Sequence, residues 1–206
     1  MKRRPTPKNT WADHYTEKAR KENYPARSVF KLREIQQKTN ILQKGYRVLD
    51  LGCAPGSWLL QAAEYVGPKG FVLGIDLVGL EIALPDHAQA RTGDIFDVAP
   101  ELAETEAPFN VVMSDMAPFT TGQKHVDAAR SMALSEMALW VSESLLLPGG
   151  SFVCKIFQQG DFQQFIQKAK QQFTTVKIVK PDSTRKASKE VFVIGIQKKG
   201  DVHGGT

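Results

Sequence analysis

Lys155 interrupts the apolar run SFVCKIF at residues 151–157, where an unpaired ammonium in a strand covered on both faces is costly. Such a lysine needs a partner or a task. Carboxylates end other apolar strands: Asp76 closes FVLGID, Asp115 closes NVVMSD, and Asp94 lies in RTGDIF just past a shorter strand. Glu190 opens the last strand, which if antiparallel starts at the edge where parallel strands end. Lys31, in SVFKLREI, stands beside the helical apolar arc of Val29, Leu32 and Ile35, from which it could reach over that edge. Amines and carboxylates gathered there can withdraw, hold or return a proton at a polar substrate atom. Singly, each has a plainer fate: a lysine snorkels, a strand-end aspartate caps a turn, a glutamate is solvated. Three aspartates at successive strand ends favour a shared site.

The stretch VLDLGCAPGSW at residues 48–58 is the companion signal, an apolar strand running through a Gly/Pro loop into a helix. In an open parallel sheet that loop lies at the carboxyl edge, where backbone amides and a helix start can meet a nucleotide cofactor. Gly52 and Gly56 permit close approach, Pro55 stiffens the loop, and Ser57 is placed to cap the helix. The dinucleotide fingerprint G-x-G-x-x-G is broken, its positions reading Gly52, Ala54 and Ser57, which disfavours a dehydrogenase. Asp76 follows Gly56 by 20 residues, near the spacing at which an acidic side chain meets a ribose hydroxyl. Asp94, farther along the edge, is placed to accept from an adenine amino group.

The elements that must hold these residues alternate in type. Periodicity predicts helices over 14–22 and 27–39, a strand at 47–51, a helix at 58–66 closed by Gly67, and strands at 71–75, 89–92 and 110–114. A long helix over 126–146 stops at Pro148-Gly149-Gly150, followed by a strand at 151–157 and a helix carrying Phe162, Phe165, Ile166, Ala169 and Phe173 at helical spacing. Strands at 175–179 and 191–197 finish the chain with no helix between them, so they pair as an antiparallel hairpin. The pattern predicts one doubly wound, Rossmann-like α/β domain over 13–199 with a mostly parallel sheet. Residues 1–12 read as a flexible basic segment and 200–206 as a disordered tail.

At 206 residues and 42% apolar composition the chain can bury one sizeable core. No apolar run approaches the ~20 residues of a membrane span, and the basic N-terminus lacks the apolar stretch of a signal peptide, so a cytoplasmic protein with no membrane contact is expected. Cys53 and Cys154 suggest neither a disulfide framework nor a metal site. The net charge of +5 conceals an asymmetry: residues 1–47 carry 13 Lys/Arg against 4 Asp/Glu, the remainder 14 against 18. A polyanion approached from one side suits that balance, and Trp11, Tyr15, Tyr24 and Phe30 could stack on bases or pack onto the domain.

The loop D-L-G-x-A-P-G-x-W resembles the S-adenosylmethionine loop of the FtsJ family of ribosomal-RNA 2′-O-methyltransferases. The likeness runs from about Trp11 to Lys198 through SVFKL, DLGCAPGSW, SDMAP, PGGSFVCKIF and KPDSTRKASKEVF. It implies a class I methyltransferase domain with a Lys-Asp-Lys-Glu catalytic set on Lys31, Asp115, Lys155 and Glu190. Cofactor contacts are implied at Gly52, Gly56, Trp58, Asp76, Asp94 and Asp115, while Ser57 departs from the glycine common at its position. The implied substrate is a uridine 2′-hydroxyl of large-subunit (23S) ribosomal RNA in the assembled 50S subunit, acted on by a monomer without a metal. A tRNA ribose methyltransferase and a non-catalytic RNA-binding assembly factor on the same fold are the alternatives.

The residue types suit that chemistry. A ribose hydroxyl is a poor nucleophile at neutral pH, so a base must take its proton, and a lysine with an ordinary pKa near ~10.4 arrives protonated. Burial and a second cation favour the neutral amine, which casts Lys155 as base and Lys31 as its cationic neighbour; carboxylates at Asp115 and Glu190 orient the amines and oppose that effect.

Overall fold

A computed structural model describes residues 10–105, 108–118, 121–185 and 187–200. Five strands lie parallel: β1 (Arg47–Leu51), β2 (Phe71–Asp76), β3 (Ala88–Thr92), β4 (Phe109–Ser114) and β5 (Leu146–Phe157), all but the largely exposed edge strand β3 being built mainly of buried residues. β7 (Glu190–Lys198) runs antiparallel to both β5 and β6 (Phe173–Val179), completing a seven-stranded sheet in the order β3-β2-β1-β4-β5-β7-β6. The expected doubly wound sheet and C-terminal hairpin are both present. Because the chain steps from β1 outward to β3 and then returns to β4 on the other side of β1, the carboxyl ends of β1 and β4 flank the point where the strand order reverses.

Helices cover both faces: α1 (Thr10–Lys21), α2 (Val29–Thr39) and α3 (Ser57–Val66), then α4 (Ile95–Thr105), α5 (Lys124–Leu145) and α6 (Phe162–Gln172). The two-residue period of β5 divides the core between these layers. Phe152, Cys154 and Ile156 pack in one cluster with Leu102 of α4, Val141 of α5 and Phe165 of α6; Val153 packs in another with Leu32 and Ile35 of α2 and Leu59 of α3. Lys155 is in phase with Val153, so its side chain is sent toward the α2 layer. That phase brings it to the face from which Lys31 projects.

Three local readings are corrected. α1 begins at Thr10 and absorbs the last three residues of the segment expected to be flexible; residues 1–9 and 201–206, and the expectations for them, lie outside the described residues. α4 was not predicted, because Pro100 masks the arc of Ile95, Ala99 and Leu102. Asp94 starts that helix, its Oδ1 accepting from Phe96 N at 3.0 Å and its carbonyl from Val98 N at 3.0 Å. Pro148-Gly149-Gly150 does not separate helix from strand: β5 begins at Leu146, and the register jumps from Phe109↔Leu146 to Val111↔Ser151, leaving 147–150 as a bulge. Of the two fates left open for the aromatics of the basic segment, Tyr15, Tyr24 and Phe30 take the second, packing together with Ala19 and Val29, Tyr15 lying 5.4 Å from Phe30.

Gly74 in β2 lets α3 and the loop after β1 settle on the sheet. A Cβ there would stand 2.3 Å from Leu59 Cδ1 and 2.7 Å from Cys53 Sγ. Gly74→Ala is predicted to destabilise the domain by about 1–3 kcal/mol through overpacking. Urea denaturation checks this, with an unchanged midpoint as the contrary result.

Candidate active site

The loop after β1 is held by the strand beside it. Gly52 N and Cys53 N donate to Ile75 O at 2.8 and 3.3 Å, and Gly56 N donates to Cys53 O at 2.6 Å. Asp76 anchors both sides of the crevice: Oδ2 accepts from Ala54 N at 2.8 Å and Oδ1 from Val78 N at 3.0 Å. Gly52 and Gly56 adopt φ of +73° and +106°, and a Cβ on them would lie 2.3 Å from Met116 Cγ and 2.2 Å from Ile82 Cδ1. Both glycines are required by geometry.

The predicted cap at Ser57 is not made, since Gly56 occupies the cap position. Instead the Ser57 hydroxyl accepts from Ala26 N at 2.7 Å and donates to Ala26 O at 3.0 Å. Next to it the indole N–H of Trp58 donates to Ser28 O at 2.9 Å, and its buried ring stacks on Phe192 at 5.6 Å. These bonds clamp the segment that leads into α2 onto the start of α3. The sequence reading passed over Ala26, Ser28 and Phe192, the first two because they act through backbone atoms and Phe192 because it reads as one apolar residue among several in β7.

Four separated segments then deliver ionisable groups to one place. The β4–β5 register sets Ser114 opposite Cys154, so Asp115 and Lys155 follow side by side. Lys155 Nζ donates to Asp115 Oδ1 at 2.9 Å and also to the Asp115 carbonyl. Lys31 Nζ stands 4.0 Å from the same Oδ1 and 2.5 Å from Glu190 Oε1, an ion pair whose angles fall outside hydrogen-bonding geometry. Phe192, paired across the ladder with Lys155, lies under Lys31 with 5.7 Å between Nζ and the ring centre. The Lys155 side chain is 6% exposed against 14–16% for the other three, so its amine is the innermost group of a cluster that opens through its neighbours. Asp94 stays apart from this cluster, at the end of β3 beyond Asp76.

The sequence of this chain matches the FtsJ-like methyltransferase family over residues 24–198. The chain belongs to the FtsJ-like methyltransferases. It is 58% identical over 193 residues to the ribosomal RNA large subunit methyltransferase E of Desulforapulum autotrophicum, spanning 93% of this chain and 95% of that protein. The protein of the same name from Desulfatibacillum aliphaticivorans is 53% identical over 204 residues, covering 98% and 99%. Among solved structures, a ribosomal RNA methyltransferase of Plasmodium falciparum superposes with a TM-score of 0.74 at 25% identity, covering 86% of this chain and all of that one. The O-methyltransferase TomG of Streptomyces achromogenes shares the fold at a TM-score of 0.59 and 15% identity, covering 94% and 91%.

Within this FtsJ-like site Asp50 is the ionisable residue that sequence reasoning missed. It lies in β1 directly before the loop, fully buried, with neither carboxylate oxygen finding a hydrogen-bond partner among the described residues. Burial, reinforced by Asp115 and Asp76, pushes its carboxyl well above the usual carboxylate range. The thiols nearby are inert for the same reason: burial raises Cys53 and carries Cys154 up to about 12. An unfolded Asp50 loses its proton near pH ~3.9 while the folded one keeps it, so rising pH above that point removes stability until the folded group ionises. Asp50→Asn cannot ionise. Its stability in urea is therefore predicted to gain on wild type as pH rises from 4 to 8, by at most ~1.4 kcal/mol per unit. Parallel stability curves would show that Asp50 does not hold a proton in the folded chain.

Proposed function

We propose that this FtsJ-like methyltransferase moves the methyl group of S-adenosylmethionine to the 2′-hydroxyl of a uridine in large-subunit (23S) ribosomal RNA, within the assembled 50S subunit. The reading places it in the cytoplasm as a monomer. The observation that carries it is the meeting of Lys31, Asp115, Lys155 and Glu190 beside the Gly52–Trp58 loop, a set suited to taking a proton from an alcohol. The names of the relatives favour ribosomal RNA over tRNA, and the intact cluster argues against a factor that only binds RNA.

The residues present fit the cofactor. Asp76 spends one lone pair of each oxygen on the backbone and retains others for a ribose diol, and Asp94 uses only Oδ1 at its cap, leaving Oδ2 for an adenine amino group. Leu77 and Val78, 69% and 64% exposed, offer an apolar shelf directly after Asp76. Gly52, Gly56 and Trp58 line the loop, and Asp115 closes the site toward the lysines. Bound there, S-adenosylmethionine would supply a methyl group on a cationic sulfur able to leave as a neutral thioether.

Lys155, once neutral, takes the proton of the incoming 2′-hydroxyl. Asp115 fixes the amine through its carboxylate and carbonyl, leaving one direction of Nζ for the hydroxyl. Lys31, held by Glu190, reaches the same Asp115 oxygen from the α2 layer and completes the cluster. The departing thioether is neutral, so the chemistry asks for no metal. Positioning by the clamp of Ser57 and Trp58 supplies much of the rate.

The test is transfer of labelled methyl from S-adenosylmethionine to large subunits that lack it, followed by digestion to nucleosides. A 2′-O-methyluridine is expected; label in a base, or in tRNA alone, contradicts the assignment. Asp76→Ala is predicted to weaken cofactor binding by roughly 10- to 150-fold, the equivalent of a charged hydrogen bond of ~1.5–3 kcal/mol, while RNA affinity stays near wild type. Calorimetry with unchanged cofactor affinity would remove Asp76 from the site.

A further inference from the structure

β4 stops pairing at Ser114, opposite Cys154, whereas β5 runs on through Lys155 and Ile156 to Phe157. The backbone groups of this last stretch need other partners. Gln158 N donates to Lys189 O at 2.9 Å on the β7 side, and hydrogen-bonded and non-hydrogen-bonded pairs alternate along an antiparallel ladder, so the groups of Lys155 and Phe157 face the place that β4 has left. A continued β4 would set residue 116 there, opposite Ile156. Met116 N turns back instead and lies 3.4 Å from Ser114 Oγ. The Lys155 carbonyl and the Phe157 N–H are thus left without a strand to bond, a state in which enclosed backbone groups are seldom found.

Two serines of α5 occupy that gap. Ser135 Oγ lies 3.0 Å from the Lys155 carbonyl and 2.8 Å from the Ser131 carbonyl, its one proton shared between them, while Ser131 Oγ accepts from Phe157 N at 3.1 Å. The Ser131 carbonyl is inside a helix and has a backbone donor there. The Lys155 carbonyl has besides Ser135 only the Cys154 thiol at 3.3 Å, a weak donor, so the bond that Ser135 alone makes strongly is the one to Lys155. Four residues apart, Ser131 and Ser135 lie on one face of α5 and are 3% and 0% exposed. Alanine would suit such enclosed helical positions better, since serine forms helix less readily and its buried hydroxyl must be desolvated.

We propose that Ser131 and Ser135 are positioning residues for Lys155, hydroxyls of α5 that take over the hydrogen bonds of a strand that has turned away. The inference rests on the reading above of Lys155 as the group that takes the proton. The exchange matters to the amine. A carbonyl within a ladder lies in the plane of the sheet, out of line with a side chain that rises from its face, so Asp115 meets Lys155 Nζ through its carbonyl as well as its carboxylate only because β4 has left the ladder. Without the serines, that departure would fray β5 at the very residue whose Nζ must be fixed. Ser135 holds the Lys155 backbone from the α5 layer and Asp115 holds its amine, so the residue is fastened at both ends.

Ser135→Ala, Ser131→Ala and the two combined test this in the full-length protein, with large subunits lacking the methyl group as substrate and Ser142→Ala as the comparison. Ser142 is a fully buried serine farther along the same helix, its hydroxyl donating to Leu139 O at 2.7 Å. Ser135→Ala is expected to lower kcat about 10- to 100-fold, the scale of a misplaced catalytic group, with KM for RNA and cofactor affinity by calorimetry unchanged. Ser131→Ala acts in the same direction, and Ser131→Thr, which keeps the accepting oxygen, restores turnover. Ser142→Ala is expected to shift the melting temperature as much as Ser135→Ala does while leaving kcat at the wild-type value. Wild-type kcat in the doubly substituted protein, an equal fall in kcat for Ser142→Ala, or a Ser131→Thr protein no more active than Ser131→Ala overturns the positioning role. Lys155→Ala, measured alongside, separates this inference from the reading beneath it. Wild-type turnover there removes the lysine from the reaction and the task of the serines with it, whereas loss there beside intact turnover in the serine variants overturns the positioning role alone.

Discussion

A lysine cannot be carried into the middle of a covered β-strand without an anion to meet it, and the pairing of Lys155 with Asp115 is the constraint around which the open edge of this sheet is arranged. The pairing is dictated by register: with Ser114 opposite Cys154, the next residue of each strand must face the other. Breaking such a pair from one side typically costs about 3–5 kcal/mol, so neither partner is free to drift. The same phase that buries Cys154 against α5 and α6 sends Lys155 toward α2. A slip of one residue would exchange the two and leave an amine in an apolar layer.

Around that pair the sheet edge collects more negative charge than it can leave ionised. Asp50 inside β1, Asp76 at the end of β2 and Asp115 just after β4 stand on three neighbouring strands, and only the last two have donors among the described residues. Asp76 is answered by backbone N–H groups and Asp115 by lysines; Asp50 is enclosed and unanswered, and burial pushes its carboxyl well above the usual carboxylate range. Lys31 closes the balance from the other layer. It reaches the site because Ser57 and Trp58 fasten residues 26 and 28, and with them the first turn of α2, to the helix that starts from the cofactor loop. Loop, lysine and strand are thus one mechanical unit, and the pairing of Lys31 with Glu190 ties β7 into it.

Much of this was legible in the chain. Strand-end aspartates and an ammonium in an apolar strand are visible because each violates a local pattern, and parallel topology then forces them to one edge. The resemblance of the loop added the partners that spacing alone could not assign. What escaped reading did so for physical reasons. α4 was hidden by Pro100, whose helix is sustained by its cap and its packing against α5 despite the lost hydrogen bond. Ser57 looked like a cap because nothing in a sequence shows that residue 26 is within reach of it. Asp50 looked like an ordinary member of the loop, since burial without partners is a property of three-dimensional packing. Ser131 and Ser135 were part of a recognised helix, yet serines there carry no signal until the end of β4 is seen to leave backbone groups for them to take.

The decisive measurement is turnover of Lys155→Arg and Lys155→Ala on large subunits lacking the methyl group, with cofactor affinity followed in parallel. Arginine keeps the positive charge that Asp115 requires but is effectively never deprotonated, so it preserves the pair while removing the base. Loss of about 10²- to 10⁴-fold in both variants, with cofactor still bound, is the result that a base at residue 155 predicts. Near wild-type turnover by the arginine variant contradicts it and makes the residue a fixed charge.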